Sequence, residues 1–142
     1  MTVLSQLLDL KGHEIFSVTP DTAVIDAIRV MAEKHVGALL VMEGPRMAGI
    51  VSERDYARKV VLLGRSSEST PVRDIMTAAV RTIEADDTVD DAMRLMTEHR
   101  IRHLPVLDGA QVVGIVSIGD LVKSVIEEQR HTIEDLQTYI RG

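Results

Sequence analysis

Two stretches of the chain carry nearly the same seven-residue pattern, Gly49-Ile-Val-Ser-Glu-Arg-Asp55 and Gly114-Ile-Val-Ser-Ile-Gly-Asp120. They lie 65 residues apart, and the same shift aligns the chain with itself without a gap, giving 16 identities over the 47 positions from 9 to 55. Repetition at a fixed period is the sequence signature of a repeated structural unit. The chain is therefore predicted to contain two copies of one fold.

The residues upstream of each heptapeptide predict a strand followed by a helix. Short apolar runs at 15–18 and 80–83 indicate the strands. Thr22 and Thr88, or the preceding Asp, are expected to cap the helices because their oxygens can accept hydrogen bonds from first-turn N–H groups. Both helices are amphipathic, since their apolar residues recur at helical spacing. These residues are Val24, Ala27, Ile28 and Met31 in one copy, and Val89, Ala92, Met93 and Met96 in the other.

Two apolar runs then follow in each copy and predict an antiparallel hairpin. The runs cover 38–42 and 47–51 in the first copy, and 103–107 and 112–116 in the second. Gly44-Pro45 and Asp108-Gly109 separate them, and such pairs favour tight turns. A second helix is expected from Glu53 to about Leu63, and from Ile118 to about Glu128. Each copy is thus a β-α-β-β-α unit.

The predicted fold class is α+β, with two such units packed sheet to sheet in pseudo-two-fold symmetry and short terminal helices. A unit of about 60 residues would be only marginally stable alone, because too little of its surface is buried, so two are expected to pack together. We place the first unit at 9–63, a polar linker at 64–73, the second unit at 74–128 and a C-terminal helical extension at 129–142. Apolar stripes at both termini are expected to pack on the body or on a partner chain. They are Val3, Leu4, Leu7 and Leu8, and Ile133, Leu136, Tyr139 and Ile140.

Composition excludes several classes of function. The chain has 142 residues, a net charge of −6, no Cys and three aromatic residues. It therefore forms no disulfide, and it lacks the clustered positive charge and stacking aromatics of most nucleic-acid binders. The N-terminus lacks the pattern of a signal peptide, and no apolar run is long enough to span a bilayer. A cytoplasmic protein that binds neither nucleic acid nor membrane is expected.

The two heptapeptides, together with Arg102-His-Leu-Pro-Val106, resemble the motifs of a tandem pair of CBS domains, named after cystathionine β-synthase. The resemblance covers about residues 9 to 128, so the chain looks like a stand-alone pair. It implies a cleft between the two copies that binds an adenosine-containing ligand such as AMP, ADP, ATP, NAD or S-adenosylmethionine. It also implies disc-like homodimers.

Two serine–aspartate pairs, Ser52 with Asp55 and Ser117 with Asp120, are the first candidates for nucleotide binding. The aspartate is suited to accept hydrogen bonds from ribose hydroxyls, and the serine to bind ribose or phosphate. The helix N-terminus that follows each pair also favours phosphate. However, Ser-x-x-Asp is equally a capping box that satisfies the first turn of a helix. The two roles can coexist.

The remaining nucleotide-binding candidates come from the ends of neighbouring strands. Arg102 and His103 stand where the family resemblance implies phosphate contact, whereas the first copy has Gly37 and Ala38 there. Arg54, Arg58 and Lys59 are alternative sources of positive charge in the first copy. The resemblance further implies that the first-strand ends frame the adenine; these residues are Val18, Thr19 and Ile83. Because the copies differ, the two sites are expected to differ in affinity or ligand.

Catalysis is not expected. Residues 114–119 do not form a Gly-x-Ser-x-Gly nucleophile elbow, and residues 44–49 lack the Lys-Ser/Thr of a phosphate-binding loop. His99 and His103 straddle a helix end and a strand, so no metal site is predicted. Two hypotheses remain open. The chain is a regulatory sensor that binds an adenine nucleotide, or a structural adaptor that regulates an unidentified protein target and has vestigial nucleotide sites.

Overall fold

Six strands and five α-helices succeed one another in the computed structural model, which describes residues 1–141. The strands are β1 Ser17–Val18, β2 Ala38–Glu43, β3 Arg46–Ser52, β4 Ile83–Glu84, β5 His103–Asp108 and β6 Gln111–Ser117. The α-helices are α1 Leu4–Lys11, α2 Val24–Lys34, α3 Glu53–Tyr56, α4 Val89–His99 and α5 Ile118–Arg141. A π-helical turn at Ala57–Val61 continues α3, and a 3-10 turn covers Val72–Asp74.

The strands form two three-stranded mixed sheets with the same topology. In one sheet β2 pairs in parallel with β1 and in antiparallel with β3, and β5 relates to β4 and β6 in the same way. Each predicted hairpin turns at a glycine with positive φ, 58° at Gly44 and 64° at Gly109. Glycine adopts this conformation without steric cost. The predicted α+β class and both hairpins are confirmed.

The chain divides into two compact units. The first unit is Ile15–Val80, and the second unit combines residues 1–14 with the chain from Arg81 onward. In each, the helix before the hairpin buries three of the four residues of its predicted apolar stripe, Val24, Ala27 and Met31 in α2 and Val89, Ala92 and Met96 in α4. The fourth residues, Ile28 and Met93, are half-buried against the same cores. These side chains pack with the buried residues of the same unit's hairpin into one core.

Helix α1 belongs to the second unit although it precedes the first repeat. Its Leu4 and Leu8 are fully buried, and the Leu4 N–H donates to the carbonyl of Asp87. A Cβ atom at Gly114 would lie 2.6 Å from the Leu8 side chain, so the glycine leaves room for the helix. The residues at 9–14 thus pack with the second unit, rather than with the repeat that they precede.

The segment before the second repeat packs on the first unit in a similar way. Ile50 and Thr77 exchange backbone hydrogen bonds of 3.0 and 2.9 Å. A Cβ atom at Gly49 would lie 2.7 Å from the Thr77 carbonyl oxygen. The glycine that opens each heptapeptide therefore lets a segment from outside its own repeat approach the last strand of its unit closely.

One of the two predicted helix caps is wrong. Thr88 caps α4, since its Oγ1 accepts from the Asp91 N–H at 3.1 Å and the Asp91 carboxylate accepts from the Thr88 N–H at 3.0 Å. Thr22 does not cap α2, whose N-cap is Ala23 without a side-chain hydrogen bond. Its hydroxyl oxygen instead accepts from the Thr19 N–H at 3.1 Å, within the turn that precedes the helix.

Several predicted boundaries shift. The first strands cover two residues each, so the apolar runs at 15–18 and 80–83 are only partly strand. The second helix of the second repeat and the C-terminal extension form one continuous helix of 24 residues, because neither Gly nor Pro interrupts residues 120–141. In the first repeat the helical path ends at Val61, shortly before Gly64 with φ 67°.

Within residues 1–141, none of the helices combines the length and the apolar character that a membrane crossing requires. The cytoplasmic location remains a prediction.

Candidate ligand site

Ser52 and Asp55 form a complete capping box where β3 enters α3. The Asp55 N–H donates to Ser52 Oγ at 3.2 Å, and Asp55 Oδ2 accepts from the Ser52 N–H at 2.9 Å. The Ser52 hydroxyl also lies 3.0 Å from Asp55 Oδ2. These bonds fix the carboxylate against the first helical turn, as the Ser-x-x-Asp pattern predicts.

Ser117 and Asp120 form the same arrangement where β6 enters α5. The Asp120 N–H donates to Ser117 Oγ at 3.2 Å, and Asp120 Oδ2 accepts from the Ser117 N–H at 2.8 Å. Among the described residues, no group donates a hydrogen bond to Asp120 Oδ1. A carboxylate oxygen can accept two hydrogen bonds, so the cap leaves acceptor capacity on Asp120 for a ligand.

The start of the middle strand lies beside each serine. Ala38 pairs with Ser52 and His103 with Ser117 in the sheet registers. The N–H of the residue after each serine also donates to the residue before that strand, from Glu53 to the Gly37 carbonyl at 3.0 Å and from Ile118 to the Arg102 carbonyl at 2.9 Å. The structure thus brings Gly37 and Ala38 to Ser52, and Arg102 and His103 to Ser117.

The first-strand candidates lie farther along the sheets. Val18 pairs with Val41, three residues along β2 from Ala38, and Ile83 pairs with Val106, three residues along β5 from His103. Three residues of strand span about 10 Å. Thr19 lies beyond Val18 and lines a groove with Pro20, Asp21, Met42, Glu43, Gly44, Arg73 and Met76. Within each unit, the structure therefore does not bring Val18 or Thr19 to Ser52, or Ile83 to Ser117, and their ligand role remains a prediction.

Each aspartate is paired with one lysine, but the two lysines come from different elements. In the first unit, Lys59 Nζ lies 3.2 Å from Asp55 Oδ1, one helical turn along the chain, and donates to the Ile75 carbonyl at 2.9 Å. In the second unit, Lys11 Nζ from α1 lies 2.8 Å from Asp120 Oδ2 and donates to the Ile115 carbonyl at 2.5 Å.

Sequence reasoning included Lys59 among the candidates and missed Lys11. The repeat alignment pairs Lys11 with Met76, so the lysine has no counterpart at its own position in the other copy. The signal that could have pointed to Lys11 is the alignment of Lys59 with Ser124. Because the second copy has no lysine on the helix after its aspartate, a cation that pairs with Asp120 has to come from another segment of the chain.

Charge and burial in the second unit favour an ionised aspartate beside a neutral histidine. Partial burial raises the pKa of Asp120, but hydrogen bonds from Lys11 and from Ser117 outweigh it and hold that pKa below its ordinary value. Burial lowers the pKa of His103; Asp120 opposes this shift, whereas Lys11 and Arg102 add to it. At neutral pH the site therefore presents a carboxylate, a lysine and an arginine beside an uncharged imidazole.

The other cationic candidates of the first unit are less constrained. Arg54 lies half-buried in the first turn of α3, and Arg58 is exposed on the π-helical turn. Among residues 1–141, no group of three or more His, Asp or Glu side chains is placed to hold a metal ion.

Comparisons with known proteins identify the repeat. The family profile of the CBS domain matches residues 9–62 and 72–127. The chain is 42% identical to the CBS domain-containing protein CBSX3, mitochondrial, of Arabidopsis thaliana, over 99% of this chain and 73% of the relative. The structure of a protein with CBS domains from Burkholderia ambifaria MC40-6 is 57% identical and covers 90% of this chain and 96% of its own, with a TM-score of 0.87.

A more distant structure shares the fold alone. The CBS domain pair of protein MJ0100, in complex with 5′-methylthioadenosine and S-adenosyl-L-methionine, is 22% identical and covers 90% of this chain and 98% of its own, with a TM-score of 0.79. The repeat, the two mixed sheets and the two profile matches lead to one conclusion: the chain is a CBS domain pair and belongs to the CBS domain family.

Proposed function

We propose that the protein is a regulatory module, not a catalyst, that binds an adenosine-containing ligand of the class AMP, ADP, ATP or NAD. The observation that carries the proposal is the Ser117–Asp120 pair, in which no described residue donates a hydrogen bond to Asp120 Oδ1, with Arg102 and His103 at the neighbouring strand end. The ligands of the distant MJ0100 domain pair, 5′-methylthioadenosine and S-adenosyl-L-methionine, support the adenosine part of this proposal.

The chemistry of the second unit suits a ribose phosphate. A carboxylate accepts hydrogen bonds from vicinal ribose hydroxyls, and an arginine guanidinium donates to phosphate oxygens through a planar fork. A ligand held by both groups would bridge the first turn of α5 and the start of β5. Regulation would follow if one conformation of the protein binds the ligand more tightly than another.

A thermal-shift panel tests this proposal. Unfolding of the full chain is followed with millimolar AMP, ADP, ATP, NAD or S-adenosylmethionine. A ligand present at about 100 times its dissociation constant adds about 2.7 kcal/mol to the unfolding free energy. We expect at least one of the first four to raise the melting temperature. No shift with any of the five would contradict nucleotide binding and favour the structural adaptor with vestigial sites.

We also propose that the protein forms a homodimer through the C-terminal half of α5. The apolar residues Ile126, Ile133 and Ile140 recur every seven residues, with Gln129 and Leu136 between them. Isoleucine at the first core position of a heptad and leucine at the other favours pairing of two parallel helices. Ile133 and Leu136 are each 56% exposed and Ile140 is 80% exposed, so the stripe is uncovered within the chain. A second copy of the helix presents a matching stripe.

Sedimentation of a matched pair of variants tests the dimer. Ile133→Asp places a charge in the centre of the stripe, whereas Thr138→Asp places the same charge on the opposite, exposed side of the same helix. We expect the wild type and Thr138→Asp to sediment as dimers and Ile133→Asp to shift toward monomer. Dimers of unchanged affinity in Ile133→Asp would rule out this surface.

A further inference from the structure

The lysines that pair with the two aspartates lie at different positions of the repeat, and each is absent from the aligned position of the other copy. The first unit has Lys59 on the helix after its heptapeptide, and the aligned residue of the second unit is Ser124. The second unit has Lys11 on the segment that packs against its last strand, and the aligned residue is Met76. Each unit thus contains one lysine at its aspartate, and the second unit takes it from the N-terminal helix.

The residues on both sides of Lys11 anchor it to the second unit, in addition to the contacts of its own side chain. Leu8, one turn before it, is buried against Gly114, and the His13 ring contacts the Val113 carbonyl at 3.0 Å. Between these anchors, the ammonium group reaches Ile115 and Asp120. An ammonium group has three protons, so two hydrogen bonds leave one for a further acceptor.

Lys11 neutralises the carboxylate at this site. Among the described residues, it is the one cation within ion-pair distance of Asp120, with Nζ 2.8 Å from Oδ2. Without Lys11, the Asp120 carboxylate would face a bound ligand unpaired. An unpaired carboxylate repels a phosphate-bearing ligand and not its uncharged nucleoside, whereas an ammonium group donates charge-assisted hydrogen bonds to phosphate.

We infer that Lys11 is a specificity-determining residue of the Ser117–Asp120 site, through which the N-terminal helix selects a phosphorylated adenosine ligand over adenosine itself. This inference rests on the proposed function, because it assigns a role at the same site. It makes the docked α1 part of the binding site of the second unit.

A structural role for Lys11 predicts different behaviour. If the lysine only fastened α1 to β6 and α5, its loss would lower the melting temperature and affect adenosine and AMP alike. Selectivity for phosphate, measured as the ratio of the two dissociation constants, separates the two roles. Rescue by a lysine introduced elsewhere separates them further, because it would restore the charge without restoring the tie to α1.

The repeat itself provides the variants. Lys11→Met introduces the residue found at the aligned position, and Ser124→Lys introduces the lysine of the first unit one turn after Asp120. Calorimetric titrations with AMP and with adenosine are carried out on the full chain in an Asp55→Asn background, which weakens the other site. Lys34→Met, in the same background, is the matched control for loss of an exposed lysine outside both serine–aspartate sites.

We expect Lys11→Met to weaken AMP binding about tenfold, the effect of losing one charge-assisted hydrogen bond, and to leave adenosine binding nearly unchanged. Lys11→Met with Ser124→Lys should recover most of the AMP affinity, and Lys34→Met should have no effect. Equal or tighter AMP binding by Lys11→Met, with AMP still bound by the parent, would overturn the role of Lys11 alone. Failure of the parent to bind any of AMP, ADP, ATP or NAD would overturn the proposed function as well.

Discussion

The two serine–aspartate sites have the same backbone architecture and different chemistry. In both, a serine and an aspartate cap the helix after the last strand, with matching hydrogen bonds. The strand beside Ser52 begins at Ala38, which is 5% exposed, whereas the strand beside Ser117 begins at the half-buried, titratable His103. The cap is needed by the fold, so it is present in both units, while the surrounding side chains differ.

This contrast indicates which of the two sites is better suited to bind a ligand. The groups that distinguish the second unit, Arg102, His103 and Lys11, are all suited to an anionic ligand, and none is required by the capping box. The first unit places Glu53 next to Arg54 in the first helical turn, where the second has Ile118 and Gly119. The second unit is therefore the stronger candidate for binding a phosphorylated ligand.

The largest expected difference concerns the heptapeptide glycines. Gly49→Ala would bring a Cβ atom to 2.7 Å from the backbone oxygen of Thr77, whereas Gly114→Ala would meet the Leu8 side chain. Overpacking costs about 1–3 kcal/mol, and a backbone clash is harder to relieve than one with a side-chain end. We expect both to lower the unfolding free energy measured in urea, and Gly49→Ala to lower it more.

A second substitution sharpens that result. Leu8→Ala makes room for the new methyl group, so the combined cost of Gly114→Ala and Leu8→Ala should be smaller than the sum of the single costs. Met76→Ala should not relieve Gly49→Ala to the same degree, because the Thr77 oxygen remains. Full additivity in the second unit would show that Gly114 is not there to accommodate α1.

A smaller effect is expected for the caps. Ser52→Ala and Ser117→Ala each remove the acceptor for an aspartate N–H, and loss of an N-cap costs about 1 kcal/mol. Because the hydrogen bonds are alike, we expect similar losses of unfolding free energy, measured in urea for both variants. A difference of several-fold between them would mean that the serines have unequal structural roles.

The smallest expected effect is a pH dependence of the unfolding free energy that comes from His103 in the second unit. The pKa of His103 is lowered in the fold from its ordinary value of 6.5, so the folded protein favours the neutral ring. The contribution of the neutral His103 ring to the unfolding free energy is present above pH 6.5 and is lost as the pH falls below that value. The difference in unfolding free energy between wild type and His103→Gln should decrease from pH 7.5 to pH 5.5. A difference that is constant or increases would contradict the lowered pKa.

The sequence was sufficient for the repeated β-α-β-β-α fold because the relevant signals are local. Apolar spacing in α2 and α4, glycines at the hairpin turns and the Ser-x-x-Asp caps each act within a few residues. The Thr22 cap failed because the hydroxyl had a competing partner in Thr19, which the pattern alone does not reveal.

What the sequence did not reveal depends on contacts between distant segments. Lys11 and Asp120 are 109 positions apart, and the docking of α1, with Leu8 against Gly114, brings them together. Similarly, the positions of Val18 and Ile83 depend on how their two-residue strands pair with the middle strand of each sheet. The sequence of so short a strand does not determine that register. The serine–aspartate caps of the candidate site could therefore be predicted from the sequence, whereas the positions of Lys11, Val18 and Ile83 could not.

The central claim is that the Ser117–Asp120 pair binds a phosphorylated adenosine ligand. Its most direct test is calorimetric titration of AMP into the wild type, Asp120→Ala and the matched variant Asp55→Ala. Because loss of a hydrogen bond to a charged group costs about 1.5–3 kcal/mol, we predict that Asp120→Ala weakens AMP binding at the second unit roughly 10- to 100-fold, and that Asp55→Ala leaves that binding intact. AMP affinity that is unchanged in Asp120→Ala would contradict the account and leave Asp120 as a helix cap only.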